Sequence, residues 1–168
     1  MSDNEIEHFS KKFDENCKSG HTTIGPNEFV NLYKEIEGDQ ATAESAKIFF
    51  RGIDINNSGD ITKSEFLDCV KETRDGLKIN KYKMIFRSFD VDRSRTLTCE
   101  EIVEYTKFCN KPKTIEELKP LVKQYGKGKD FLTFAQLYKL MTGEDIPEDT
   151  DPYNGKIPLG KSGCCLLL

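Results

Sequence analysis

Two stretches of the chain place an oxygen-bearing side chain at every second position, the arrangement that a hard cation requires. In 54–65, DINNSGDITKSE, Asp54, Asn56, Ser58, Asp60, Thr62 and Glu65 occupy positions 1, 3, 5, 7, 9 and 12, with Gly59 at position 6. In 90–101, DVDRSRTLTCEE, the same places hold Asp90, Asp92, Ser94, Thr96, Thr98 and Glu101. Calcium takes about six to eight oxygen ligands. A tight loop aims alternate side chains inward, offers a backbone carbonyl at the seventh position, works through water at the ninth, and closes with a bidentate carboxylate at the twelfth. Gly59 supplies the sharp turn because glycine accepts a positive φ without penalty. The loop 90–101 has Arg95 at that position, where a non-glycine residue in the left-handed region costs about 1–2 kcal/mol. Asp92 adds a carboxylate where the other loop has Asn56, while Arg93 and Arg95 reduce the local negative potential.

These loops belong to a larger repeat. FDENCKSGHTTIGPNEF, IDINNSGDITKSEF, FDVDRSRTLTCEEI and YGKGKDFLTFAQL each carry an aliphatic residue followed four positions later by Glu or Gln and then by an apolar residue. The aliphatics Ile24, Ile61, Leu97 and Leu132 recur at intervals of 37, 36 and 35 residues, so the chain contains four copies of one unit. Flanking each copy are apolar stripes at helical spacing: Phe29, Leu32, Tyr33 and Ile36; Phe49, Phe50 and Ile53; Tyr82, Ile85, Phe86 and Phe89; Phe134, Leu137, Tyr138 and Met141. The unit is therefore helix, loop, helix, with Ile61 placed to pair across a short β bridge and Leu97 placed to pair with Leu132. Thr114 and Glu117 form a capping box ahead of IEELKPLVKQY, where Pro120 is expected to kink the helix.

The outer two loops lack a cage. Glu28 lies 14 residues after Asp14, and counting back from Glu28 puts Cys17, Ser19 and His21 at positions 1, 3 and 5. Counting back from Gln136 puts Tyr125, Lys127 and Lys129 at the same places, where ammonium groups repel a cation.

Residues 5–142 thus resemble a four-EF-hand protein of the calmodulin superfamily, calmodulin-like or calcineurin-B-like in plan. The resemblance implies an all-α fold of two lobes of paired EF-hands with short β bridges between loops, followed by a disordered C-terminal tail. It places an N-terminal lobe at 1–74, a C-terminal lobe at 75–142 and a flexible tail at 143–168, with one working and one silent site per lobe and KETRDGLKIN between the lobes. The expected metal ligands are Asp54, Asn56, Ser58, Asp60 and Glu65, and Asp90, Asp92, Ser94, Thr96 and Glu101, with Ca2+ as the cofactor. Calmodulin-like sensors present Met-rich grooves, whereas this chain has only Met1, Met84 and Met141. Its 11 Phe point instead to a narrower list of partners, each a target helix or peptide in an apolar groove.

Composition excludes several classes. The 168 residues carry 29 acidic and 25 basic side chains, a net charge of -4, with no basic patch to attract nucleic acid. No nucleophile and base pair or catalytic metal constellation is visible, so the expectation is a protein that is not an enzyme. The start MSDNEIEHFS has neither the basic opening nor the apolar middle of a signal peptide, and Ser2 stands where an N-myristoylated sensor needs Gly. The six cysteines, Cys17, Cys69, Cys99, Cys109, Cys164 and Cys165, have no framework spacing, which fits reduced thiols in a cytoplasmic protein.

The end is different. After Met141 comes a polar run rich in Pro, Gly and Asp that reads as a tether. It closes on CLLL, a CaaX box that marks Cys165 for geranylgeranylation, with Cys164 beside it as a palmitoylation candidate. One lipid holds only marginally, so a second signal is needed for stable anchoring. The expected function is a lipid-anchored calcium sensor, peripheral on a membrane, that changes conformation with calcium and regulates a target there. The alternatives are a calcium buffer and a constitutive EF-hand regulatory subunit of an enzyme.

Overall fold

The computed structural model describes residues 2–153. Eight α-helices, with a two-residue strand between the helices of each successive pair, run along them: α1 Asp3–Asn16, β1 Thr23–Ile24, α2 Pro26–Glu37, α3 Ala43–Ile53, β2 Ile61–Thr62, α4 Lys63–Arg74, α5 Lys78–Phe89, β3 Leu97–Thr98, α6 Cys99–Phe108, α7 Ile115–Tyr125, β4 Phe131–Leu132 and α8 Phe134–Thr142. The fold is all-α with small β bridges. Strand β1 pairs antiparallel with β2, opposing Ile24 to Ile61, and β3 pairs with β4, opposing Leu97 to Leu132. All four aliphatics are buried, so each bridge ties two loops together beneath a shared apolar cap.

Local chemistry sets the helix starts. Capping boxes open α1 (Ser2 and Glu5), α3 (Thr42 and Ser45), α4 (Thr62 and Glu65), α6 (Thr98 and Glu101), α7 (Thr114 and Glu117) and α8 (Thr133 and Gln136). Helix α2 instead begins on Pro26, whose missing N–H is no loss at a first turn. Pro120 does not end α7, which continues to Tyr125 and forgoes one main-chain hydrogen bond at the proline.

Two apolar cores follow the repeat. Phe9, Phe13, Phe29, Phe50 and Phe66 fill one, with Phe13 and Phe66 ring centroids 5.5 Å apart. Phe86, Phe89, Leu118, Val122, Phe134 and Leu137 fill the other. Burying each such side chain stabilises the fold by about 1.5–3 kcal/mol. The widest contact between elements crosses from one half to the other, where α3 lies on α5. Gly52 makes this approach possible, because a Cβ there would collide with Ser88 Oγ and Met84 Sδ. Met84, on α5, packs into the core of the first half. Only residues 75–77 separate α4 from α5.

Residues 144–153, assigned by sequence to the start of the tether, fold back along the second half. Glu144 accepts from Tyr138 Oη at 3.0 Å and from Lys78 Nζ at 2.8 Å. Thr150 is buried, and Arg87 Nη1 donates to Pro152 O at 2.8 Å. Composition misleads here because the segment is held by polar contacts to ordered groups more than by apolar burial. The rest of the tail, with Cys164 and Cys165, lies outside the described residues.

Candidate metal centre

The loop 54–65 hangs between the end of α3 and the start of α4. Asp54 caps α3 and is nearly fully buried, and its carboxylate gathers the loop's own amides: Ser58 N donates to Oδ1 and Gly59 N to Oδ2, each at 2.9 Å. Asn56 Oδ1 accepts from Ser58 N at 2.9 Å, and Ser58 Oγ donates to the Asp60 carbonyl at 2.8 Å. Glu65 closes the turn, with Oε2 accepting from Thr62 N at 3.0 Å and from Thr62 Oγ1 at 2.7 Å.

The loop 90–101 repeats these bonds nearly one for one. Asp90 Oδ1 accepts from Ser94 N and Oδ2 from Arg95 N, both at 3.0 Å. Ser94 N also reaches Asp92 Oδ1 at 3.0 Å, and Ser94 Oγ donates to the Thr96 carbonyl at 3.1 Å. Glu101 bonds Val91 N through Oε1 and Thr98 N through Oε2, at 2.9 Å each. One ligand oxygen from each of Asp90, Asp92 and Glu101 lies within 4.8 Å of the others, so these acids converge on a point that suits a divalent cation. Burial raises the Asp90 carboxyl above its ordinary value, against the hydrogen bonds from Tyr153 and Arg95 that favour its charge. Asp92 is held below the ordinary carboxylate range by its bonds from Ser94.

Backbone angles match as well. Gly59 has φ 85° and Arg95 has φ 63°, so the arginine does occupy the left-handed turn. Two positions earlier, Asn57 and Arg93 are also left-handed, at φ 55° and 58°.

Neither arginine points its charge at the acids unopposed. Arg93 donates to the carbonyls of Arg51 at 2.5 Å, Asp54 at 2.6 Å and Arg87 at 3.3 Å. Arg95 Nη1 pairs with Asp151 Oδ2 at 2.5 Å. Sequence reasoning missed Asp151 and Tyr153, although Tyr153 is the one aromatic residue after Tyr138 and stands out in a polar run.

In the first loop the acids are paired with lysines, and the fourth loop carries lysines of its own. Lys18 Nζ lies 2.7 Å from Glu28 Oε1, and its hydrogen bond holds the Glu28 carboxyl below the ordinary range. Asp14 is taken by Lys63 at 2.7 Å, while Cys17 serves as the cap of α1. In the fourth loop Lys127 bonds Glu148 and Lys129 lies 5.2 Å from the Phe131 ring centre. Gln136 keeps the cap that Glu65 and Glu101 form, its Oε1 accepting from Thr133 N at 3.0 Å, without their charge.

Residues 23–73 match the family model described as an EF-hand domain pair. That stretch is similar to an EF-hand pair. EF-hand domains bind Ca2+, and the pair holds the whole of the loop 54–65, whose donors are all oxygens as that ion requires. No curated protein matches the chain. The loop 90–101 lies beyond the matched EF-hand pair and shares its hydrogen-bond frame.

Proposed function

We propose that this protein is a lipid-anchored calcium sensor. Asp54, Asn56, Ser58, Asp60 and Glu65 hold one ion, and Asp90, Asp92, Ser94, Thr96 and Glu101 hold a second. The observation that carries this reading is the shared frame of the two loops, one at the end of α3 and the other at the end of α5, because those helices pack directly on each other through Gly52. A cation drawn into either loop acts on that crossing, so occupancy is converted into a change of helix angle.

The face that responds is an open groove of about 1060 Å³. Tyr33, Phe49, Phe89, Val91 and Phe108 line it, with Phe49 and Phe108 ring centroids 6.0 Å apart across the two halves. Its apolar floor and its glutamate rim, with Glu100 and Glu104, suit a target helix bearing apolar and basic side chains. Cys165, with Cys164 beside it, brings the sensor to a membrane surface, where the target is regulated.

The test is a calcium titration of the full chain with magnesium present, followed by an apolar-surface dye. Dye fluorescence rising in the micromolar calcium range is the expected result. Two ions bound with a flat dye signal would make the protein a buffer or a permanently occupied subunit. For the anchor, Cys165→Ser is expected to move the protein from membranes to the soluble fraction of cells, and unchanged partitioning would refute it.

A further inference from the structure

The segment that follows α8 ends against the third loop. Tyr153 Oη donates to Asp90 Oδ2 at 2.7 Å, and the same oxygen accepts from Arg95 N at 3.0 Å. Two donors thus hold one oxygen of a fully buried carboxylate, leaving Oδ1 with the Ser94 donors on the side of Asp92. In the second loop Asp54 Oδ2 accepts from Gly59 N, the counterpart of the Arg95 bond, and among the described residues no side chain from beyond α8 adds a second donor. Asp151 lies beside Tyr153 and pairs with Arg95, the residue that stands in place of glycine. Arg93 and Arg95 flank the tyrosine ring, with guanidinium carbons 5.2 and 5.4 Å from its centre, and Arg93 Nη1 donates to Tyr153 Oη at 3.1 Å.

The two arginines that set the third loop apart from the second, and its first acid, therefore all have partners in 151–153. The positive charge of Arg95 is met by Asp151, the charge of Arg93 is turned onto carbonyls and the tyrosine, and the buried acid at the first position receives an extra donor.

We infer that residues 151–153 are a working part of the third calcium loop, with Tyr153 and Asp151 as positioning residues that set Asp90 and neutralise Arg95 for the ion. Groups that bond a metal's ligands from behind fix the ligands' orientation, and removing one typically costs about 10–100-fold in affinity. Linkage makes the effect reciprocal, so calcium at this loop tightens the docking of 151–153 by the same factor. The inference rests on the reading that the third loop binds calcium.

The experiment uses the full chain in two backgrounds, each followed by calorimetric calcium titration. Glu65→Gln leaves the third loop to report alone, and Glu101→Gln leaves the second. Adding Tyr153→Phe, which keeps the ring, is expected to weaken the third loop about 10-fold while the second changes less than about 2-fold. Asp151→Asn is expected to act in the same direction. Hydrogen exchange of the Tyr153 amide should slow on calcium addition in the first background and not in the second. A third loop that binds as before, or more tightly, in Tyr153→Phe overturns the inference alone. Equal weakening of both loops also overturns it, since that is general destabilisation. No calcium uptake at the third loop before Tyr153 is changed would overturn the reading beneath it as well.

Discussion

Arg93, in the third loop, donates a hydrogen bond of 2.6 Å to the main-chain carbonyl of Asp54, the first residue of the second loop. The two candidate cation sites are therefore joined by one side chain. Arg93→Ala removes this bond and those to the carbonyls of Arg51 and Arg87. Hydrogen bonds to charged groups contribute about 1.5–3 kcal/mol each, and a loss of roughly that size in unfolding free energy is expected. Binding at the two loops should also become more independent. Denaturant unfolding of the ion-free protein together with a two-site calcium titration checks both.

Gln136 shows what the closing glutamates do when they lose their charge. It still caps α8, so Glu65→Gln and Glu101→Gln should each abolish one calcium site at a stability cost under about 1 kcal/mol without the ion. Native mass spectrometry in calcium counts the ions, and thermal unfolding in chelator measures the cost. A variant that keeps both ions would show that the loop register is wrong.

At Gly52 the two halves meet with no room for a side chain. Gly52→Leu should lower stability by about 1–3 kcal/mol through overpacking. Gly52→Ala should cost less, since alanine regains about 0.5–1 kcal/mol of helix propensity. Urea midpoints of the two variants test this order.

Cysteine reactivity should follow burial. The thiolate is the reactive form, and burial pushes the Cys69 thiol up to about 12, so little thiolate is present at pH 8. Cys109 is exposed. Timed alkylation with peptide mapping should label Cys109 first and Cys69 last among Cys17, Cys69, Cys99 and Cys109, and early labelling of Cys69 would contradict its packing.

Much of the fold is legible in the sequence because the repeat repeats its physics. The interval from Ile24 to Ile61 and from Leu97 to Leu132 foretells both β bridges, and Thr114 followed by Glu117 foretells where α7 begins, a box that Thr62, Thr98 and Thr133 repeat at α4, α6 and α8. The turn at Arg95 is foretold by its place in the loop. The α3–α5 crossing is not, since a glycine inside a helical stripe reads as a local cost until the facing Ser88 and Met84 are known. Nor is the docking of 151–153, because a segment held by Arg87, Arg93 and Arg95 has no periodicity of its own to betray it.

The three-residue join between α4 and α5, together with the Gly52 contact, gives the two halves a shared pivot. Two halves on a long tether can wrap a guest of almost any girth. Halves that share a face turn on it together, so a displacement felt at one loop is handed to the other as a rotation of its helix.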